Sequence, residues 1–311
     1  MLKKIIFLID DKSLNNPEVR SAVYETKRYV EECGYMSELV AFNGMDDVIE
    51  GNGSSLYKDK QTTLFATDNG KLCDMLCGED CYAVGIRHGL NQKEDFPSAK
   101  YIFSEIEEVD IDSFVKVYQR YAGEPWEILR TERLIVREST IEDIDEFYRI
   151  YSDPEMTRYM EGLFEDPEDE KRYQRDYIKK VYGLMGFGIW TLVRKSDGVI
   201  IGRAGFSVRS GFDDVELGFL IGKDYQRQGY AMEACRAILD YGRDTLKFDK
   251  IQTLVKAENT VSVHLCEKLG FTAAEEVDVD ENIYGNGYKE GQKASPSKER
   301  RGKYVRMIKV D

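Results

Sequence analysis

The sequence has only two histidines in 311 residues, and it has no excess of basic charge: 44 Lys and Arg stand against 58 Asp and Glu, a net charge of -14. A chain this acidic offers no broad basic face to neutralise phosphates, which excludes a general nucleic-acid binder and suits a neutral or cationic substrate better. Long apolar runs are missing as well. Met1-Leu2-Lys3-Lys4 is followed by an apolar run from Ile5 to Ile9 before Asp10 and Asp11, too short for a signal h-region or a bilayer span, so no membrane association is expected. The six cysteines lack even spacing, which points to reduced thiols and a cytoplasmic chain. Cys73, Cys77 and Cys81 are spaced too widely for a typical zinc site, and Gly78-Glu79-Asp80 reads as a turn between helix and strand, so no metal is expected.

What is present is enough for real cores: 42% of the residues are hydrophobic and 12% aromatic, and the length suits two domains of roughly 150 residues each. Residues 1–122 alternate short apolar strands (4–10, 39–42, 63–68, 82–87, 101–103) with helical patterns (18–32, 71–77, 112–121), the signature of a small parallel α/β sheet. They carry 14 basic and 22 acidic groups, making this the more acidic part of the chain. Gly123-Glu124-Pro125-Trp126 punctuates the boundary, with Gly and Pro breaking the preceding helix and Trp126 expected to pack on one domain.

From residue 128 onward the pattern becomes strand-rich α+β. Strands are expected at 133–138, 188–194, 199–207, 215–222, 250–257, 274–280 and 304–311. Helices are expected at 141–151, opening at Ser139 or Thr140, and at 229–246 and 260–269. Asp197-Gly198 between two alternating runs is a hairpin turn. Residues 284–302 are rich in Gly, Ser and Lys without apolar periodicity and read as a solvated loop.

Two resemblances follow from these residues. The runs TLFATDN (63–69) and YAVGIRHGLNQKEDFPSAKYIFSEIEEVD (82–110) make the first segment similar to a haloacid dehalogenase-like α/β domain. That family's Asp-x-Asp-x-Thr motif would begin at Asp10, but the sequence continues Asp11-Lys12-Ser13-Leu14. Without the paired carboxylates a Mg2+ ion and a phosphoaspartate have no place, so the domain at 1–122 is expected to be non-catalytic. The second resemblance rests on order and spacing: TERLIVRE (131–138), SDPEMTRYM (152–160), VELGFLI (215–221), Gln226-Arg227-Gln228-Gly229-Tyr230-Ala231, Asn259 to Ser262, and Glu267-Lys268-Leu269-Gly270-Phe271. Residues 128–311 thereby resemble a GNAT N-acetyltransferase with its mixed-sheet fold, in the branch of ribosomal-protein N-terminal acetyltransferases.

This second resemblance implies acetyl-CoA as co-substrate and an amine acceptor, either a protein N-terminus or a small amine. Elementary chemistry agrees at 226–231, where a strand-to-helix turn presents free N–H groups and the positive end of a helix dipole to a pyrophosphate. Gly229 admits close approach, Ala231 keeps the first turn slim, and Arg227 can add charge. The family's pantetheine runs along the strand that contains Phe219, Leu220 and Ile221, whose backbone would pair with it, and Asn259 and Ser262 match its cofactor-contacting pair. Along that strand Glu216 shares a face with Gly218 and Leu220, opposite Val215, Leu217, Phe219 and Ile221, which makes Glu216 the candidate general base. Seven residues beyond Asn259, where many relatives carry a Tyr acid, stands Cys266, a candidate acid for the departing thiolate. No Ser-His-Asp relay is supported. A reading of another class is a non-catalytic acyl-CoA sensor with a partner-binding N-terminal domain.

Overall fold

A computed structural model of the chain describes residues 1–44, 59–281, 283–285, 287–293 and 301–310. It divides into two compact units, Met1–Glu124 and Pro125–Asp311.

The first unit is a parallel α/β domain. Strands β1 (Lys4–Asp10), β2 (Met36–Phe42), β3 (Thr63–Thr67), β4 (Tyr82–Arg87) and β5 (Ile102–Ser104) lie in the order β2-β1-β3-β4-β5, with every neighbouring pair parallel. The continuous apolar runs of β1 and β3 are explained by burial on both faces, as parallel sheets require. One face packs under α1 (Pro17–Glu32) and α3 (Ile111–Ala122), through residues such as Phe7, Val23 and Phe114. The other packs under α2 (Gly70–Gly78), where Cys73 and Cys81 join Leu8, Phe65 and Leu76. Burial pushes the Cys73 thiol up to about 12 and Cys81 up to about 11, the chemistry of packing residues.

The second unit is an eight-stranded mixed sheet in the order β12-β13-β11-β10-β9-β8-β7-β6. Its strands are β6 (Glu127–Arg130), β7 (Leu134–Arg137), β8 (Ile189–Arg194), β9 (Ile200–Ser207), β10 (Val215–Ile221), β11 (Lys250–Lys256), β12 (Thr272–Asp280) and β13 (Arg301–Val310). Only β10 and β11 are parallel neighbours. Helices α6 (Tyr230–Asp244) and α7 (Thr260–Lys268) cover one face, burying Ala234, Cys235, Ile238 and Leu239 against Leu217, Trp190 and Phe206. Helix α4 (Ile144–Tyr151) contributes Ile144, Phe147 and Ile150 to a second cluster with Ile200 and Leu220. The β8–β9 turn is the expected Asp-Gly hairpin: Gly198 has φ +73° and Asp197 pairs with Arg194 at 2.6 Å.

Two expectations are corrected and one unforeseen helix is added. The helix expected at 141–151 begins at Ile144, because Asp143 is drawn into a buried pair with Arg137 (2.7 Å) and accepts from the Thr140 N–H, while Ser139 bonds Thr191 instead of capping. Helix α5 (Pro167–Tyr177), capped by Asp166, has too few aliphatic residues for its period to show in the sequence. The expected loop at 284–302 is not solvated throughout: Tyr288 is buried, its hydroxyl donating to Asp176, and residues 301 and 302 belong to β13. Residues 294–300 lie outside the described residues.

Candidate active site

The site is built where the regular pairing of the sheet stops. Strands β10 and β11 pair only at Val215↔Ile251 and Glu216↔Gln252. One residue further on, the Thr253 hydroxyl donates to the Leu217 carbonyl at 3.0 Å. Beyond that bridge the two strands part, whereas on its other side β10 stays in register with β9 as far as Ile221↔Gly202. A strand edge left open over Phe219, Leu220 and Ile221 is a template for an extended ligand that pairs through its amides. One acceptor on it is engaged, since Gln226 Nε2 donates to the Ile221 carbonyl at 2.9 Å.

At the end of β10 the chain turns into α6. Arg227 (φ +59°) and Gly229 (φ +85°) are both left-handed, and Gly229 occupies the cap position without any side-chain hydrogen bond to the helix. Two left-handed residues ahead of an uncapped helix turn successive N–H groups outward, a concavity suited to an anion. A Cβ at Gly229 would meet only Arg133 Nη2 at 3.4 Å, so conformation, more than crowding, selects glycine there. The turn is held from below by Arg133, whose Nη1 donates to the Gln228 carbonyl (2.9 Å) and whose guanidinium lies 4.2 Å from the Tyr230 ring centroid. Glu233 fixes Arg133 at 2.6 Å and accepts from the Thr131 hydroxyl. Burial works against its charge, but the bonds from Thr131 and Arg133 prevail and hold its carboxyl below the usual range. Arg133 and Glu233 are 100 residues apart and carried no local signal in the sequence.

On the other face of β10, Glu216, Gly218 and Leu220 lie directly opposite Ser207, Gly205 and Arg203 of β9. Gly205 and Gly218 thus face each other and form a flat floor with Glu216 at one end and Arg203 near the other. Glycine at 205 is required by the backbone just ahead of β8, since a Cβ there would stand 2.1 Å from the Gly188 carbonyl oxygen, whereas one at Gly218 would meet Ile189 Cδ1 at 3.4 Å. Glu216 is 6% exposed, and its carboxylate receives Arg209 Nε at 2.6 Å and Arg209 Nη2 at 3.4 Å. Burial disfavours the Arg209 charge, but Glu216 overrides it and raises the guanidinium above its ordinary value, so the two form a charged pair.

The remaining candidates separate. Asn259 caps α7 by accepting from the Ser262 N–H at 3.2 Å, which places the two together. Cys266 reaches Thr253, at the fork of β10 and β11, but it is fully buried and its thiol is pushed up to about 11 by burial. Such a thiol has no exposed path to a leaving group and sits as a packing residue does. His264 is exposed on the same helix beside Glu267. Among the described residues no group of three or more His, Cys, Asp or Glu could hold a metal ion.

Residues 133–272 match the acetyltransferase (GNAT) domain model. An uncharacterized N-acetyltransferase, p20, of Bacillus licheniformis is 32% identical over 149 residues, spanning 47% of this chain and 82% of its own length. An uncharacterized N-acetyltransferase, YnaD, of Bacillus subtilis (strain 168) is 31% identical over 143 residues, spanning 46% and 81%. A spermidine N(1)-acetyltransferase of Escherichia coli (strain K12) is 34% identical over a shorter stretch of 62 residues, spanning 20% of this chain and 33% of its own. The chain belongs to the GNAT acetyltransferase family and is an acyltransferase. The family match begins at residue 133 and leaves the first unit unassigned.

Proposed function

We propose that the second unit transfers an acetyl group from acetyl-CoA to a primary amine by direct attack, without an acyl-enzyme. The carrying observation is the parting of β10 from β11 after Glu216, beside an uncapped α6 N-terminus. In this reading the N–H groups at 228–231 hold the pyrophosphate, with Gln226 and Arg227 flanking it. The edge at 219–221 pairs with the pantetheine, and Asn259 and Ser262 line the opposite side.

The reaction then runs between the strands. The amine nitrogen attacks the thioester carbonyl, its proton passes to the Glu216 carboxylate directly or through one water, the C–S bond breaks and the CoA thiolate leaves. A positioned base of this kind contributes about 10² to 10⁴ in rate. Arg209 orients the carboxylate, and the burial of Cys266 favours a thiolate that departs without a dedicated side-chain acid. The first unit is read as a non-catalytic α/β module with haloacid dehalogenase kinship, and the reduced cysteines suggest the cytoplasm.

The occupation of Glu216 by Arg209 favours a second reading, a non-catalytic acyl-CoA sensor whose first unit binds a partner. Thiol release from acetyl-CoA, measured against a panel of N-terminal peptides and small amines, separates the two. A catalyst accelerates release with at least one acceptor and loses turnover as Glu216→Gln while keeping CoA affinity. A sensor binds CoA and shows no acceptor-dependent release.

A further inference from the structure

Arg203 stands on the same face of the sheet as Glu216, opposite Leu220 and beyond the glycine floor. Its guanidinium lies 4.4 Å from the Phe147 ring centroid and near the Tyr151 hydroxyl. Among the described residues it makes no ion pair within 4.0 Å, and its Nε is buried without any hydrogen-bond partner. A buried donor left unmade costs about 1–3 kcal/mol, more on a charged group, so a partner is to be expected there.

Other unmet groups lie on α5. Gln174 is fully buried, and neither its amide nitrogen nor its amide oxygen has a partner. Glu170, one helical turn away on the same face, is also buried, with the Phe164 N–H donating to it. Burial raises its carboxyl above the ordinary range, with the Phe164 N–H and the Arg203 charge pulling the other way. Tyr173 and Tyr177 of α5, 5.9 Å apart between ring centroids, add aromatic wall, and the Tyr177 hydroxyl is fixed by the Ile189 N–H at 2.8 Å. Arg203 pairs with Leu220, two residues beyond Gly218, so its backbone is a cross-strand diagonal of about 8 Å from that of Gly218, a gap within the length of an arginine side chain.

We propose that Arg203 binds a carboxylate on the acceptor, so that the substrate class is a small amine that also carries a carboxylate, such as a free amino acid, and not a polycationic amine. This rests on the acetyl-transfer reading above, since it places the amine over Gly218 beside Glu216. Both groups stand on one face of the sheet, so an amine over Gly218 and a carboxylate on Arg203 can belong to one small molecule, with the guanidinium supplying a charge-assisted, two-pronged contact. A polyamine would bring a second positive charge against an unpaired one. The acidity of the whole chain thus does not set the local preference.

The test compares free α-amino acids bearing apolar or aromatic side chains with their carboxamides and with spermidine, measuring kcat/KM for each. Binding of the same compounds to the CoA-loaded chain is followed by calorimetry. Each free amino acid that reacts should exceed its carboxamide by about tenfold or more. That ratio should collapse toward one in Arg203→Met and be partly kept in Arg203→Lys, which retains the charge should the Met variant misfold. Equal use of acid and amide, preference for spermidine, or a ratio unmoved by either variant overturns the proposal while leaving acetyl transfer intact. If no amine is acetylated, the acetyl-transfer reading fails; calorimetry then decides separately, and binding of amino acids no tighter than that of their carboxamides overturns the Arg203 assignment.

Discussion

Each unit places a helix directly after a strand, and the two helix starts are finished differently. In the first, Asn69 accepts from the Leu72 N–H (3.0 Å) and Glu94 accepts from the Gly70 N–H (2.9 Å), so the chain supplies its own carboxylate to the positive end of α2. In the second, Gly229 leaves α6 without any side-chain cap. The same dipole is satisfied internally in one case and left open in the other. The crevices beside them differ in the same sense. In the first unit Asp68 takes the Asp10 N–H (3.0 Å) and pairs with His88 (3.1 Å), while the Asp10 carboxylate turns back onto the Lys12 N–H. In the second the edge of β10 beyond Leu217 has no backbone pairing with β11. The lesson is that a strand followed by a helix N-terminus does not define a binding site; what matters is whether the chain has already filled it.

Glu216→Gln should break the comparison most strongly. Turnover is expected to fall by about 10² or more with CoA affinity kept, as seen in steady-state rates beside calorimetry. Asp10→Asn, the matching change in the first unit, should leave acetyl transfer unchanged in the same assay. Next in size is the buried pair at the start of α4. Asp143→Ala removes the charged partner of the part-exposed Arg137 and should cost about 1.5–3 kcal/mol, read as a lower denaturant midpoint for the second unit. The Asp143 carboxyl is held below its ordinary value because Arg137, the Thr140 N–H and Thr191 outweigh burial, which acts in the opposite direction. Its stabilising contribution is therefore complete above the unfolded value near 3.8 and is lost as pH falls through the lower folded value; acid titration of the unfolding midpoint should show that loss below pH 3.8 in wild type and not in Asp143→Ala.

Smaller effects sharpen the contrast. Gly229→Ala forces a Cβ into a left-handed cap and should cost about 1–2 kcal/mol locally, seen as a severalfold weaker CoA affinity. Gly70→Ala meets the Asp95 carbonyl oxygen at 1.9 Å, so by overpacking it should destabilise the first unit by about 1–3 kcal/mol. Its CoA affinity should not change, and a loss there would deny that the two helix starts serve different ends.

Much of this was legible in the sequence. Continuous apolar runs at 4–10 and 63–67 gave buried parallel strands, and the alternation at 215–221 placed Glu216, Gly218 and Leu220 on one face, with Leu217 and Ile221 in the opposite core. The Gln-Arg-Gln-Gly turn was readable because Gly229 is required by its backbone. Other features were hidden for physical reasons. Strand β6 is four residues long, and the buried residues of α5 include Glu170, Gln174 and Asp176, residue types that no hydrophobic period reveals. The bonds of Arg133 to Glu233 and Arg306 to Asp214 join distant segments, so only the folded sheet brings them together. Arg203 escaped notice because a lone arginine in a strand ordinarily signals a solvated face.

The central claim, that acetyl transfer belongs to the open site of the second unit and owes nothing to the filled crevice of the first, has a direct test. Acceptor-dependent thiol release from acetyl-CoA is measured for the full chain and for Glu216→Gln and Asp10→Asn under identical conditions. The account predicts release in the wild type, its loss by about 10² or more in Glu216→Gln with CoA still bound, and an unchanged rate in Asp10→Asn. Wild-type release that survives Glu216→Gln and vanishes with Asp10→Asn would contradict it.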